Sequence, residues 1–351
     1  MVFDRIAFAQ HQRVVFHHDS GTGLRAIIAV HSTRLGPAAG GCRMWPYASA
    51  EEALDDVLRL SEAMTYKNAL AGLPLGGGKS VIIGDPARDK TPALLAAFGR
   101  LVDTLGGDYW TAEDVGIGEA DVAVMRGASR HVFGVPGGTG DPSPFTARGV
   151  LEGMRACLRH AGLGGGVEGV TVAVQGVGNV GGALCNLLHA EGARLIVADT
   201  RPEAAAAAGR AFGATVTTVD AIHAAPADIF APCALGGAIS DRTLPEIRAR
   251  IVCGAANNQL ASPGMAGALA ARGILLAPDF VVNAGGMLNA AWDILGGYSE
   301  AESLRRIVGI GDTVARVLSR AADTGEDTMS AAVGMARDIV RAGGPARAGH
   351  D

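Results

Sequence analysis

The stretch VTVAVQGVGNVGGALCNLLHAEGARLIVAD (170–199) decides the fold, because it combines an apolar strand, a glycine-rich turn, a helix and a second strand. Its turn, GVGNVG (176–181), matches the pattern G-x-G-x-x-G. Such glycines permit a tight turn, close approach of a pyrophosphate to the backbone and close packing of helix on strand. The helix N-terminus adds unpaired N–H groups and the positive end of its dipole. The sequence therefore predicts a dinucleotide site at Gly176, Gly178, Asn179, Val180 and Gly181.

An acidic residue, Asp199, stands at the end of the second strand. A carboxylate there accepts hydrogen bonds from the ribose hydroxyls and repels a 2′-phosphate. We therefore predict NAD as the cofactor, with Thr200 in the same site, although Arg201 nearby is compatible with some NADP use. The alternative interpretation is a glycine-rich turn in an ordinary α/β domain.

Short apolar strands separated by helices continue beyond this stretch, with further strands at 228–232, 251–256 and 274–279. This alternation predicts an α/β protein whose second domain is a Rossmann-type, doubly wound parallel sheet. The first third also alternates, with strands at 24–32 and 80–85. Helices are predicted in that part after a capping box formed by Ser49 and Glu52, at 91–107, and later from 150 onward.

A Gly/Pro-rich stretch, GVPGGTGDPSP (134–144), suits an interdomain linker. We predict two α/β domains, residues 1–140 and the Rossmann domain 141–325. A C-terminal helix at about 325–345 is predicted to return to the first domain.

The composition argues against several classes of protein. The chain has 351 residues, 48% of them hydrophobic, and a net charge of −5, which gives no electrostatic case for a nucleic-acid or anionic-membrane partner. No apolar run is long enough to span a membrane, and no signal peptide is recognisable. The five cysteines are far apart and form no C-x-x-C pair. We therefore expect a cytoplasmic protein without a metal site or disulfide framework.

Two lysines lie in unusually apolar, glycine-rich sequence: Lys67 near the end of a helix, and Lys79 at the end of the predicted loop PLGGGK. A lysine in such surroundings loses hydration, which favours the neutral amine that base chemistry needs. The alternative for either one is an ordinary surface ammonium. Asp114, in YWTAEDVG, is interpreted as an acid/base group or, alternatively, as a helix cap.

Several long segments together resemble the leucine, valine and phenylalanine dehydrogenase family, in the family's order and through nearly the whole chain. These segments are HSTRLGPAAGGCR (31–43), MTYKNALAGLPLGGGKSVIIGDP (64–86), YWTAEDVG (109–116), PCALGG (232–237), GAANNQL (254–260) and APDFVVNAGG (277–286). The resemblance implies an N-terminal substrate and oligomerisation domain, an NAD-binding domain and an active site in the cleft between them. It also implies a homo-oligomer.

The resemblance assigns roles to individual residues. Lys67 corresponds to the lysine that holds the substrate carboxylate, and Gly40 and Gly41 line the same site. Lys79 corresponds to the lysine that activates water, and Asp114 to the acid that exchanges protons with the amino group.

Further residues correspond to the family's nicotinamide site. Thr146 orients the nicotinamide amide, and Cys233, Ala234 and Asn257 line its ribose. Asn258 and Asn283 lie beside the substrate.

The side-chain pocket is expected to be apolar, because Ala39 stands where the related glutamate enzymes have a lysine. Met64, Ala112 and Met287 complete the predicted pocket. Ala112 resembles the leucine and valine enzymes, whereas the small Ala39 leaves room for an aromatic ring. We expect a branched-chain amino acid, with phenylalanine or another aromatic amino acid as the alternative.

The sequence thus predicts NAD-dependent oxidative deamination of a hydrophobic L-amino acid to a 2-oxo acid, with ammonia and NADH as the other products. A hydroxy-acid dehydrogenase is a competing interpretation, but such enzymes use a His–carboxylate pair, and no histidine here lies in a matching motif. A nucleotide-sensing protein without chemistry is the non-enzymatic alternative, against which Lys67, Lys79 and Asp114 argue.

Overall fold

The computed structural model describes residues 8, 10–135 and 138–343. They form two compact units. The first contains residues up to Gly140, the segment Ala290–Tyr298 and residues from Ala336 onward, and the second contains Asp141–Asn289 and Ser299–Met335. Residues 136 and 137 of the predicted linker, and 344–345 of the predicted last helix, lie outside the described residues.

The first unit is built on one mixed six-stranded sheet. Its strands are β1 Arg13–Asp19, β2 Leu24–Ser32, β3 Ala38–Ala39, β4 Cys42–Trp45, β5 Gly76–Ile83 and β6 Tyr109–Trp110. The order is β1-β2-β5-β3-β6, and β4 also pairs with β5. β1 and β2, and β2 and β5, are antiparallel, whereas β3 and β4 run parallel to β5. The helices are α1 Ala50–Leu70, α2 Pro92–Asp103 and α3 Glu119–Arg126.

Helix α1 begins where the sequence predicts. The Ser49 hydroxyl accepts a hydrogen bond from the Glu52 N–H at 3.1 Å, which satisfies one of the free donors of the first turn. Leu54, Val57 and Leu58 form the buried face of α1 and pack against β2 and β5. Burial of each such side chain contributes about 2 kcal/mol.

The predicted loop before Lys79 is instead the first half of β5, which begins at Gly76. The glycines there serve close packing. A Cβ on Gly77 would lie 2.1 Å from the Thr65 backbone nitrogen of α1, and a Cβ on Gly78 would lie 2.6 Å from the Tyr109 ring. The strand therefore continues through the glycines because only they allow α1 and Tyr109 to approach it so closely. The sequence-based prediction of a loop was wrong.

The second unit confirms the predicted doubly wound parallel sheet. Its strands are β7 Thr171–Gln175, β8 Arg194–Ala198, β9 Thr215–Val216, β10 Ile229–Pro232, β11 Ile251–Val252 and β12 Leu275–Leu276. All neighbours are parallel, in the order β12-β11-β10-β7-β8-β9. The order reverses direction at β7, and ligands bind at such a switch point, at the carboxyl ends of the strands.

Most of the remaining helices belong to the second unit. They are α4 Ser143–His160, α5 Asn179–Ala190, α6 Pro202–Phe212, α7 Gly264–Ala271, α8 Asp279–Val282, α9 Gly285–Ala290, α10 Trp292–Leu295, α11 Glu300–Thr324 and α12 Thr328–Ala342. Of these, α10 and the end of α12 belong to the first unit. Helix α4 starts earlier than predicted, directly after the Pro142 backbone of the linker. None of the helices within the described ranges is both long and apolar enough to cross a membrane.

One segment departs from the predicted domain boundaries. Ala290–Tyr298, which contains α10, belongs to the first unit rather than to the Rossmann domain. The Asp293 carboxylate accepts a hydrogen bond from the Gly134 N–H at 2.8 Å, and this long-range contact ties the segment to the first unit. No local pattern in the sequence predicts a contact between residues so far apart in the chain.

Candidate active site

Three charged side chains meet at one point in the first unit. The Lys79 Nζ lies 3.1 Å from Asp114 Oδ1, and the Arg43 Nε donates to Asp114 Oδ2 at 2.9 Å. Only 7% of the Lys79 side chain and 22% of the Asp114 side chain are exposed. Asp114 is therefore the partner of two cations, and Gly118, not Asp114, is the N-cap of the following helix. The helix-cap alternative for Asp114 was wrong.

The backbone brings these residues together from three elements. Lys79 lies on β5, Arg43 on β4 beside it, and Asp114 in the turn after β6. The turn approaches closely because Gly41 has no side chain: a Cβ there would lie 2.1 Å from the Glu113 carbonyl oxygen. The small residue at this position thus sets the distance between Asp114 and β5.

The neighbouring charges decide the ionisation of Asp114. Burial raises the pKa of this carboxyl, but Lys79 and Arg43 more than offset burial, so the pKa lies below its usual value. Asp114 is therefore a carboxylate at neutral pH.

Tyr109 holds the turn that contains the predicted substrate glycines. Its buried hydroxyl donates to the Gly40 carbonyl oxygen at 2.7 Å and lies 3.0 Å from the Ser80 hydroxyl. Burial raises the pKa of Tyr109 far above its usual value, so the phenol stays neutral. Gly40 in turn lies against Met64, whose Cγ would be 3.0 Å from a Cβ at Gly40.

The remaining substrate residues predicted in this unit lie on α1, on β3 and in the segment after β6. Lys67 is on the last turn of α1 and is half-buried. Ala39 is buried on β3, between Gly77 of β5 and Trp110 of β6. Ala112 is also buried, and its Cβ faces Gly134.

In the second unit, the glycine pattern forms the turn between β7 and α5. Gly176 has φ +91°, in the left-handed region that favours glycine. A Cβ on Gly181 would lie 1.9 Å from the Gly176 carbonyl oxygen, whereas a Cβ on Gly178, the N-cap of α5, would meet no atom within 4 Å. The start of the helix is thus tightly packed at Gly181 and open at Gly178. This open helix N-terminus, with Asn179 and Val180 in its first turn, fits a pyrophosphate.

Asp199 lies at the carboxyl end of β8, beside this turn. Its Oδ2 accepts from the Val177 N–H at 2.9 Å and its Oδ1 from the Arg201 N–H at 2.9 Å. Burial raises the pKa of Asp199, but these two hydrogen bonds and the Arg201 charge outweigh burial and lower it. A fixed carboxylate therefore borders the open turn, with exposed Thr200 next to it.

The predicted cofactor residues Cys233, Ala234 and Asn257 and the predicted substrate residues Asn258 and Asn283 follow strands of the same sheet. Ala234 touches Gly176, and the Cys233 N–H donates to the Gln175 carbonyl oxygen at 2.7 Å. The Asn283 amide donates to Asn257 Oδ1 at 2.8 Å. Asn258, at φ +53°, is the one non-glycine residue of the described chain with a left-handed backbone.

The first turn of α4 lies against the start of α9. A Cβ on Gly286 would be 2.6 Å from Thr146 Oγ1. Met287 follows Gly286 on α9 and is half-buried. Thr146 thus lies against Gly286, the residue before Met287.

Among the described residues, no group of three or more His, Cys, Asp or Glu side chains is arranged to hold a metal ion. All five cysteines are free, and four of them are buried.

Comparison with known proteins decides the family. Residues 9–131 match the family described as Glu/Leu/Phe/Val dehydrogenase, dimerisation domain, and residues 137–202 and 201–336 match Glutamate/Leucine/Phenylalanine/Valine dehydrogenase. The chain belongs to this family. The family resemblance predicted from the sequence motifs is confirmed, and the Glu/Leu/Phe/Val dehydrogenases are NAD(P)-dependent enzymes that act on a CH–NH2 group.

Individual relatives of the Glu/Leu/Phe/Val dehydrogenase family cover nearly the whole chain. A leucine dehydrogenase from Geobacillus stearothermophilus is 48% identical over 94% of this chain and 90% of its own. A valine dehydrogenase from Streptomyces albus is 46% identical over 92% of this chain and 90% of its own. The crystal structure of L-tryptophan dehydrogenase from Nostoc punctiforme matches with a TM-score of 0.88 and 40% identity, over 97% of this chain and 99% of that one.

Sequence reasoning missed Arg43 and Tyr109, although both lie within or beside the quoted motifs. Arg43 follows Gly41 by two residues, and a cation so close to a glycine pair was a usable signal. Tyr109 begins the motif YWTAEDVG that contains Asp114, but only the structure shows that the Tyr109 hydroxyl donates to the Gly40 carbonyl oxygen.

Proposed function

We propose that this chain catalyses the NAD-dependent oxidative deamination of a branched-chain L-amino acid to its 2-oxo acid, ammonia and NADH. The observation that carries this proposal is the Lys79–Asp114 pair, 3.1 Å apart and largely buried. An amine on a buried strand beside a carboxylate supplies two proton-transfer groups within one site. The high identity to leucine and valine dehydrogenases supports the branched-chain assignment.

The reaction proceeds through proton transfers by these two residues. The Asp114 carboxylate takes a proton from the substrate ammonium, while Lys67 holds the substrate carboxylate beside Gly40 and Gly41. A bound nicotinamide cofactor would supply the acceptor for the hydride of the substrate Cα, and the substrate would then carry an iminium carbon.

Lys79 first releases its own proton to solvent. It then removes a proton from water as the water attacks that carbon, and a carbinolamine forms. Asp114 returns its proton to the nitrogen, the C–N bond breaks, and the hydroxyl proton leaves with the amine as ammonium, while Lys79 is again an ammonium. The products are a 2-oxo acid, ammonium, NADH and one proton.

The cofactor would be held by the turn from Gly176 to Gly181, by Asp199 and Thr200, and by the segments that contain Cys233, Ala234, Asn257 and Thr146. Asn258, Asn283 and Met287 would border the substrate. The fixed Asp199 carboxylate supports NAD rather than NADP, because a 2′-phosphate would face a like charge.

Replacement of Asp199 is expected to relax cofactor choice. In Asp199→Ser, the ratio of kcat/KM for NADP to that for NAD should rise about tenfold or more, since the repulsion of a 2′-phosphate is removed. Initial rates at matched cofactor concentrations measure this ratio.

Asp228→Ser is the matched control, because Asp228 also accepts a backbone N–H at one end of β7, that of Thr171 at 2.8 Å. Asp228 lies at the opposite end of β7 from Asp199, so its replacement should leave the ratio of kcat/KM for NADP to that for NAD unchanged. An unchanged ratio in Asp199→Ser as well would refute the assignment of Asp199 to the ribose.

Ala112 is proposed to border the substrate side chain, so Ala112→Gly should enlarge the pocket. We expect the ratio of kcat/KM for phenylalanine to that for leucine to rise about tenfold, as one lost methyl group is worth about 1–3 kcal/mol of discrimination. The control Ala123→Gly makes the same change on the exposed face of α3. Equal ratios in both variants would place Ala112 outside the pocket.

The proposed function is tested by NADH formation at alkaline pH with valine, leucine, isoleucine, phenylalanine, tryptophan and glutamate, each with NAD and with NADP. Preferred turnover of a branched-chain substrate with NAD is the expected result. Preference for an aromatic substrate would favour the alternative that the space beside Ala39 sets specificity. The similarity to a tryptophan dehydrogenase is the reason to include tryptophan among the substrates.

We also propose a cytoplasmic homo-oligomer assembled through the N-terminal domain. The match of residues 9–131 to a dimerisation domain supports the assembly, and five free cysteines are compatible with a reducing compartment. Small molecules are its proposed partners: a hydrophobic amino acid or 2-oxo acid, and ammonia.

A further inference from the structure

Arg43 lies between two carboxylates that belong to different elements. Its Nε donates to Asp114 Oδ2 at 2.9 Å, and its Nη1 donates to Asp56 Oδ2 of α1 at 2.9 Å. Only 19% of the Arg43 side chain is exposed. One guanidinium therefore connects the acid of the candidate active site to α1.

Asp56 is itself firmly held. The Tyr47 hydroxyl donates to its Oδ2 at 2.7 Å, and the Arg59 guanidinium lies 2.6 Å from its Oδ1. The Asp56 side chain is 15% exposed. Arg43 is thus anchored on the side that faces away from Asp114.

The two oxygens of Asp114 are divided between two cations. Oδ2 accepts from Arg43, and Oδ1 faces the Lys79 Nζ. A guanidinium is planar and presents donors in a rigid fork, so it fixes the orientation of a carboxylate and contacts a second one at once. An ammonium at position 43 could not reproduce both contacts with the same geometry.

We propose that Arg43, anchored on Asp56, is the positioning residue that fixes the orientation of the Asp114 carboxylate beside Lys79, so that Asp114 can exchange protons with the substrate amine during deamination. This inference rests on the proposed function and extends it. Arg43 acts through Asp114 and is not itself a catalytic residue.

The charged and titratable groups around Asp114 determine how its pKa changes when Arg43 is replaced. Burial raises the pKa of Cys42 on β4 to about 12, and burial also raises the pKa values of Tyr47 and Tyr109. These three groups are therefore neutral near pH 7. The cations that lower the pKa of Asp114 are Lys79 and Arg43, so removal of Arg43 raises it.

The test uses the full-length enzyme and four variants. In Arg43→Gln, we expect kcat for leucine to fall about 100-fold with a KM within about threefold, because a misdirected acid impairs the chemical step more than binding. The acid limb of the kcat profile should move to higher pH by about one to two pH units, since protonated Asp114 cannot accept the substrate proton.

The other variants separate charge from geometry. Arg43→Lys keeps the cation, so its acid limb should stay near that of the wild type while kcat remains reduced. Asp56→Asn removes only the anchor and should give an intermediate kcat. Arg155→Gln is the matched control, because Arg155 is 23% exposed and also joins two carboxylates, Glu152 and Glu191, in the second unit. Its acid limb should not move.

The outcomes are distinguishable. A wild-type kcat and an unmoved acid limb in Arg43→Gln would overturn the positioning role while leaving the proposed function intact. If that variant fails to fold, wild-type kcat in both Arg43→Lys and Asp56→Asn would overturn the role equally. Absence of amino-acid turnover in the wild-type enzyme would instead refute the proposed function.

Discussion

Lys79→Ala should lower kcat for leucine about a thousandfold or more, while the affinity for NADH stays within about twofold of the wild type. Lys79 is the proposed base that removes the proton from water, and general-base catalysis contributes about 10²–10⁴-fold. Its Nζ lies 3.1 Å from the Asp114 carboxylate, and alanine at this position has no group that can accept a proton. Steady-state rates and titration of NADH fluorescence measure the two quantities.

Lys90→Ala provides the matched control in the same unit. Lys90 also forms a half-buried ion pair, with its Nζ 2.6 Å from Asp121 Oδ2. Loss of that pair should cost some stability but change kcat by less than about threefold. Substantial turnover in Lys79→Ala would remove this lysine from the proposed mechanism.

Gly77→Ala should destabilise the first unit strongly, although alanine normally suits an extended strand at least as well as glycine. A Cβ at this position would lie 2.1 Å from both the backbone nitrogen and the hydroxyl of Thr65. Since a backbone atom cannot move aside like a side chain, α1 must separate from β5. We expect a loss of about 3 kcal/mol, the upper end of the range for overpacking.

Urea unfolding followed by tryptophan fluorescence reports on this unit, because Trp45, Trp110 and Trp292 all belong to it. Gly118→Ala is the control, as a Cβ there would meet nothing within 4 Å. Its midpoint should change little, within the few tenths to about 1 kcal/mol that an altered N-cap costs. Equal midpoints in the two variants would show that α1 and β5 tolerate the added methyl group.

The sequence was sufficient where local patterns decide structure. The strand at 24–32 and the capped start of α1 at Ser49 follow directly from the apolar run and the capping box. The G-x-G-x-x-G turn, with an acid at the end of the next strand, predicted the Rossmann geometry from β7 to β8 correctly. Apolar periodicity and turn chemistry act within a few residues, so they are readable without the fold.

The errors arise where distant segments decide the outcome. The strand at Gly76 looked like a loop because its reason, close approach by Thr65 and Tyr109, lies on other elements. The two-residue strands β3 and β6 carry no periodicity and exist because β3 pairs with β5 and β6 pairs with β3. The contact of Asp293 in α10 with Gly134 joins residues that are 159 positions apart in the chain.

The candidate site divides in the same way. The motifs identified Lys79 and Asp114, but only the fold places them 3.1 Å apart. The second cation on Asp114, Arg43, and its anchor Asp56 come from β4 and α1, whose contact depends on tertiary packing. The roles of Lys79 and Asp114 therefore stay predictions from the resemblance, and the electrostatic support of Asp114 was visible only in the structure.

The most direct test of the central claim is the reverse reaction. NADH oxidation would be followed with 4-methyl-2-oxopentanoate in the presence and absence of ammonium, and the product analysed by chiral chromatography. We predict oxidation that requires both substrates and yields L-leucine in equal amount to the NADH consumed. Oxidation without ammonium, with a 2-hydroxy acid as product, would contradict amino-acid dehydrogenase activity in favour of hydroxy-acid chemistry.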